Sequence, residues 1–280
     1  MISTTWELLT TPLTEHDSPW ELFHENSKLF SNDGILPAEV TAFYQKQILE
    51  SLRFESYPEI KLPNPAALGS EPLQEALARN AVVTELEPIT VPLDAAAALL
   101  HYSYGIMERR PDPDSARQRR AVHSENSSYP LELFVHNASI AGLERGLYHY
   151  YPPGNSLRLL RSGDQSQKIA AALIDGRVAL SAALIVLISA VPERSVLRYR
   201  DRGYRFVHQE AGAVVRNLNL IAGSLRLSCV NTGEYFDPAI DDFLALDGLT
   251  ASTIFIVAVG KAGAHERGGR QGRVAEVTTL

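Results

Sequence analysis

Five consecutive polar residues, Ser124, Glu125, Asn126, Ser127 and Ser128, stand just ahead of Pro130 and the apolar run Leu131 to Val135. Hydroxyl and amide groups at that density can donate to and accept from the heteroatom edge of a planar polar ligand, provided the following strand fixes the loop. Ser and Asn also dominate ordinary turns, because their side chains bond the local backbone. Both readings stand on these residues alone. Upstream, Met107 to Arg120 is rich in Pro, Asp and Arg and poor in apolar residues, so it is expected to be a mobile loop rather than a core element. Its arginines, Arg109, Arg110, Arg117, Arg119 and Arg120, are either a solvated surface or a contact for a peptide or a phosphate.

The elements that must position such loops are legible from periodicity. A helix is expected over Leu93 to Tyr104, after Pro92, with a short amphipathic helix before it at 72–80. The run Leu180 to Val191 is almost wholly apolar and rich in β-branched residues, as a central strand covered on both faces would be. Val207, Ala211, Val214, Val215, Leu218, Ile221, Ala222 and Leu225 recur at spacings of three and four and define a long central helix. Ser252 to Gly260 closes the sheet. Residues 1–70, with their many prolines, read as an N-terminal extension packed on a core domain of residues 71–280.

With 280 residues, 45% of them hydrophobic, the chain can bury a sizeable core. A formal charge of −7 argues against nucleic-acid binding driven by electrostatics, so an anionic ligand would need a local basic site. Cys229 is the only cysteine, which excludes an intrachain disulfide and a site built on several cysteines; it is expected to be buried. The N-terminus lacks a basic segment followed by a long apolar one, and Val178 to Val191 is too short to cross a bilayer, which takes roughly 20 residues. A cytoplasmic protein with no membrane partner is expected.

The order Arg120, Ser124, Tyr129-Pro130-Leu131-Glu132-Leu133, Gly142-Leu143-Glu144-Arg145-Gly146-Leu147-Tyr148-His149-Tyr150, Arg198-Tyr199, Gly203-Tyr204-Arg205, Glu210-Ala211-Gly212 and Asn217-Leu218 resembles the SagB-type dehydrogenases, the thiazole- and oxazole-forming branch of the nitroreductase superfamily. Phe23-His24-Glu25 and Ser27-Lys28 also sit where that branch carries a His-Glu and a Ser-Lys pair. The resemblance implies an α+β fold, a nitroreductase-like mixed β-sheet flanked by helices, in a homodimer with FMN at the subunit interface. It implies hydride transfer to the flavin, a Lys-Tyr pair assisting proton removal, and aromatisation of azoline rings in a modified peptide. No glycine-rich dinucleotide fingerprint, HExxH or paired Cys-His spacing competes with it. Ring oxidation needs an organic acceptor, because ordinary side chains do not accept a hydride.

Departures from the family pattern are specific. The Lys-Tyr pair corresponds to Arg198-Tyr199. Tyr199 remains a donor, an acceptor or a base, whereas Arg198 stays protonated and could orient a carbonyl or stabilise developing negative charge. It could equally be a surface residue paired with Asp201. The arginine-rich phosphate motif corresponds to Arg79-Asn80-Ala81-Val82-Val83, so a phosphate loses two expected charge-assisted contacts. Arg79, Asn80 and the tail residues Lys261 and Arg267 are the candidates left to hold it. At the flavin edge the candidates are Arg120, Ser124, Glu125 and Asn126. Gly233-Glu234-Tyr235-Phe236-Asp237 is either a loop near the flavin, with Gly233 and Glu234 in contact, or a turn before an acidic helix start at Asp241-Asp242.

Two functions follow as expectations. One is an FMN enzyme of peptide natural-product biosynthesis that oxidises azolines, or with its altered Arg-Tyr pair reduces or oxidises another bond, for instance as a reductase of a dehydroamino-acid peptide. The other is a redox-inactive subunit that binds a peptide substrate in a biosynthetic complex.

Overall fold

The central strands are rich in apolar residues and are covered on both sides. In the computed structural model, which describes residues 19–29, 37, 40, 54–69, 83–108 and 119–263, β5 (Leu131–Asn137) and β8 (Leu184–Ala190) are buried at every position. The apolar run is shorter as a strand than expected: its start belongs to a helix, α4 (Arg177–Ser181), and the chain turns at Ala182 and Ala183 before β8 begins. The expected helix at 72–80 and Arg79, Asn80, Arg109, Arg110, Arg117 and Arg267 lie outside the described residues.

Around these two strands the sheet is completed by β1 (Glu59–Lys61), β2 (Leu86–Glu87), β6 (Gly146–Tyr151), β7 (Ser156–Ser162), β9 (Ser228–Thr232) and β10 (Ser252–Ala262). The order is β1-β7-β6-β5-β8-β10-β2, with β9 also on β10. These ladders are antiparallel, and one isolated parallel bridge joins Val91 to Ile140. Leu131 pairs with Ala190 and Ala190 with Ser252, while Asn137 pairs with Leu184 and Leu184 with Val259. The register therefore gives the sheet two distinct ends, one where β5 begins and one where it stops.

Each face is covered by helices. On one side α2 (Leu93–Tyr104) and the long α6 (Asp201–Ser224) bury Ala96, Leu99, Leu100, Val207, Val214 and Leu218 against Leu131, Leu133, Val135 and Val186. The boundaries of α2 and the burial stripe of α6 are those the periodicity predicts. On the other, α3 (Ser166–Ala172), α4 and α7 (Asp237–Leu244) pack Ile169, Ala179, Ile240 and Phe243 on Phe134, Leu187 and Ile256. The result is the expected α+β mixed sheet flanked by helices. Two local expectations change. The ends of the Met107 to Arg120 stretch pair with each other as β3 (Ile106–Glu108) and β4 (Arg119–Arg120). The helix after Gly233 begins at Asp237, with Pro at its first turn, and Asp241 is buried inside it, where it accepts from the Thr253 N–H at 2.7 Å and the Ser252 hydroxyl at 2.8 Å.

The N-terminal helix α1 (Pro19–Asn26) buries none of its own residues. It is tied to α6 by Arg205, which donates to Ser27 Oγ at 2.7 Å and to the His24 carbonyl at 2.7 Å, and by Phe23, edge-on to Tyr204. Among the described residues no helix is long and apolar enough to cross a membrane.

Candidate functional site

The polar loop ahead of β5 is strained and internally braced. Asn126, Ser127 and Tyr129 have φ of 54°, 52° and 42°. A positive φ is tolerable for Asn and costly for a ring-bearing residue such as Tyr129, so the surroundings must enforce it. They do so from two sides. Ser124 Oγ accepts the Tyr129 N–H at 2.8 Å, and the Tyr129 hydroxyl accepts the Arg120 N–H at 2.9 Å. The Arg120 guanidinium lies between two tyrosine rings, 4.5 Å from the centroid of Tyr104 and 4.6 Å from that of Tyr129.

This bracing redistributes the expected roles. Ser124 is buried and occupied within the protein, and Arg120 is held between the rings rather than offered outward. The exposed Glu125 carboxylate is 3.2 Å from His123 Nε2. Asn126 is different, because its Nδ2 is buried without a hydrogen-bond partner. A buried amide donor left unpaired costs about 1–3 kcal/mol, so it marks a place where an acceptor is missing.

Behind the loop lies a carboxylate that belongs to the resemblance's Glu210-Ala211-Gly212 but had no expected role. Glu210, on the buried stripe of α6, accepts the Tyr104 hydroxyl at 2.9 Å, and the same hydroxyl accepts the Leu131 N–H at 3.1 Å. Burial pushes the Glu210 carboxyl up to about 7, against the pull of hydrogen bonds from Ser124 and Tyr104 and of the Arg120 charge. Burial also holds Tyr104 well above the ordinary phenol range, with Glu210 adding to the shift. The signal was available: Glu210 stands three residues after Val207 and four before Val214, on a face otherwise apolar.

A second helix joins the loop. The short α5 (Glu193–Tyr199) places Ser195 Oγ 2.9 Å from Ser128 Oγ, and Arg194 donates to the Tyr129 carbonyl at 3.3 Å. Arg194 also forms a buried ion pair with Glu132 at 2.7 Å, and Glu132 meets His149 at 2.8 Å. Although burial opposes it, the Arg194 charge and the His149 contact hold the Glu132 carboxyl at about 2. Arg198 and Tyr199, at the end of α5, are thereby tied to the serine loop through their own helix.

The turn after Tyr199 is equally constrained. Arg200 has φ 52° and ψ −141°, a conformation that L side chains rarely adopt. Gly203 lets α6 cross α5 closely, since a Cβ there would fall 2.6 Å from the Ser195 carbonyl carbon. Tyr199 stacks edge-on with Phe206 at 5.1 Å, and the Arg198 guanidinium lies 5.6 Å from the Tyr199 ring centroid. The surface pair with Asp201 does not form; instead Arg198 Nε and Nη1 and Arg202 Nε are buried with no hydrogen-bond partner.

The remaining candidates separate by sheet end. Tyr235 donates to the Thr253 carbonyl at 2.9 Å, which puts the Gly233-Glu234 turn at the same end of the sheet as the start of β5, three strands and roughly 14 Å across. Lys261 is exposed near the other end of β10, nine residues beyond Ser252 and so roughly 30 Å along the strand. Within one chain it is not brought to the serine loop. A cleft of about 560 Å³, lined by Thr90, Ser139, Arg145, Asp164 and Ser181 among others, opens at that same far end. His24 and Glu25 sit on α1, with Glu25 paired to Lys28 at 2.5 Å. Cys229 is buried, and burial pushes its thiol up to about 12, which removes it as a nucleophile.

Comparison with known proteins agrees with this architecture. MJ1384 of Methanocaldococcus jannaschii, which carries a nitroreductase name, is 29% identical over 188 residues, covering 67% of this chain and 90% of that protein. The microcin B17-processing protein McbC of Escherichia coli is 26% identical over 156 residues, 54% of this chain and 56% of McbC. The chain thus spans little more than half of that relative. The structure of the Escherichia coli microcin synthetase McbBCD complex with truncated pro-MccB17 matches the fold with a TM-score of 0.56 at 20% identity, over 87% of this chain and 92% of the matched one. The profile of the Nitroreductase family matches residues 92–261, from α2 to the end of β10, and the chain belongs to that family.

Proposed function

We propose that this chain is an FMN-dependent oxidoreductase of peptide natural-product biosynthesis that oxidises azoline rings of a modified peptide to azoles. The observation that carries the reading is the pairing of two features. A strained loop presents an unpartnered buried donor at Asn126, and a tyrosine helix is hydrogen-bonded to that loop through Ser128 and Ser195. The similarity to McbC, named for microcin B17 processing, supports a peptide substrate.

Members of the nitroreductase family bind flavin, and the donor set here fits the ring part of such a group. Asn126 would donate to an acceptor on the polar edge of the ring, with Ser124, Arg120 and Glu210 fixing the loop that presents it. Arg79, Asn80 and Arg267 would serve the phosphate, Lys261 would reach it only from a second copy of the chain, and Glu125, Gly233 and Glu234 would border the ring. FMN, when bound, supplies the acceptor for the hydride. Conversion of an azoline to an azole also releases a proton, and Tyr199 is the chain's own group for it. Arg198 stays charged and orients the substrate or its developing negative charge instead of acting as the base. A homodimer within a biosynthetic complex completes the reading.

A second reading, a redox-inactive subunit that binds the peptide, is favoured by the arginine at position 198, where the resemblance calls for a basic lysine. The two are separated by incubating FMN-loaded protein with an azoline-bearing peptide in air and following its mass. Loss of two hydrogens per ring, abolished in Tyr199→Phe, supports oxidation; an unchanged mass with retained peptide binding supports the second reading.

A further inference from the structure

Residues 198–205 carry four arginines, Arg198, Arg200, Arg202 and Arg205, in a chain whose formal charge is −7. Arg205 is engaged by Ser27 and His24 of α1. Among the described residues no carboxylate lies within ion-pair distance of Arg198 or Arg202, although Asp201 is adjacent in sequence. Instead two nitrogens of Arg198 and one of Arg202 are withdrawn from solvent with nothing to donate to. Arginine cannot escape this by losing its proton. A partly buried guanidinium with idle N–H groups is therefore a site built for an anion that arrives from outside.

We infer that the Arg198–Arg202 turn reads a carboxylate of the peptide substrate, an acidic side chain or the C-terminus, and so sets which segment of the peptide is presented to Tyr199. The proposal rests on the peptide-processing reading above. The turn is rigid enough to do so, because Arg200 fixes its backbone in a rare conformation, Gly203 locks α6 against α5, and Ser195 and Arg194 anchor α5 to the serine loop. Beside it the half-exposed rings of Phe23 and Tyr204, packed edge to face, offer an apolar surface for the flanking peptide backbone and side chains. The idle N–H groups of Arg198 and Arg202 are charged donors, which a carboxylate accepts more strongly than a neutral amide does.

The test is fluorescence anisotropy with the full chain and two labelled Gly-Ser peptides that differ only in bearing Asp and Glu or Asn and Gln. A charge-assisted hydrogen bond contributes about 1.5–3 kcal/mol, so the acidic peptide should bind about tenfold to hundredfold tighter. That preference should weaken at high salt and largely disappear in Arg202→Gln and in Arg198→Gln, each checked by thermal melting. Equal affinity for the two peptides overturns the inference. So does a loss of FMN affinity in Arg202→Gln with peptide preference intact, which would give these donors to the cofactor phosphate. A change of oligomeric mass in both variants without a change in peptide preference would give them to a second copy and also overturn it. An acidic preference in a chain that takes up no FMN would sustain the inference while defeating the oxidoreductase reading.

Discussion

The Tyr104 hydroxyl stands between Glu210 and the first residue of β5: it donates to Glu210 Oε1 at 2.9 Å and accepts the Leu131 N–H at 3.1 Å. One phenol thus joins α2, the central helix and the strand that leaves the serine loop. Because Glu210 also meets Ser124, and Arg120 lies over the Tyr104 ring, the loop's conformation depends on a buried acid two elements away.

That acid should write itself into the pH dependence of stability. Its carboxyl is raised from 4.5 to about 7 by burial, so the folded state holds the proton where the unfolded chain has lost it. The stabilisation is complete below pH 4.5 and is lost as pH rises through about 7. Comparing denaturant stabilities at pH 5 and pH 7.5, wild type should lose about 2 kcal/mol relative to Glu210→Gln over this window. Buried histidines such as His136, whose pKa is lowered, contribute the opposite trend to both proteins and cancel in the difference. Identical pH profiles would contradict the assignment.

Arg194→Met should be among the most damaging single changes. It leaves Glu132 buried with only His149 and its remaining contacts, and breaking a buried pair costs about 3–5 kcal/mol. The sign follows from the lowered carboxyl: the pair stabilises above pH 4.5, and this is lost as pH falls towards 2. The penalty in the variant should therefore shrink in acid. Chemical denaturation at pH 7 and pH 4 measures it.

Gly203→Ala and Arg200→Gly probe the turn after Tyr199 in opposite senses. The alanine Cβ would press on the Ser195 backbone, so a loss of about 1–3 kcal/mol is expected, and the proposed oxidation would weaken with it if Tyr199 takes the proton. Glycine at position 200 relieves the rare backbone conformation, a gain of about 1–3 kcal/mol offset by about 1 kcal/mol of chain entropy, so stability should hold or rise. Thermal melts of the two variants should diverge in sign.

Much of the fold was legible in the sequence. Alanine and leucine spacing set α2, the three-four recurrence from Val207 to Leu225 set α6, and uninterrupted apolar residues set β8. The site was less legible, because its organisation comes from contacts far apart in sequence. Ser124 matches the family pattern, yet folding turns its hydroxyl inward onto Tyr129; Asn126, which departs from the pattern, keeps the unpaired donor. Charges on apolar faces, Glu132 in a strand and Glu210 in a helix, were visible in the sequence, but their partners Arg194 and Tyr104 are 62 and 106 residues away. Arg79, Asn80 and Arg267 stay proposals from the resemblance alone.

Flavin held at the serine loop is read most directly from the visible absorption of the purified chain before and after excess FMN, with unbound cofactor removed. A flavin band that survives removal is expected, with affinity weakened about tenfold in Asn126→Ala, which deletes the loop's unpaired amide donor, and unchanged in Tyr199→Phe. A chain that stays colourless after FMN is added would rule out a flavin at this loop and leave peptide binding as its proposed function.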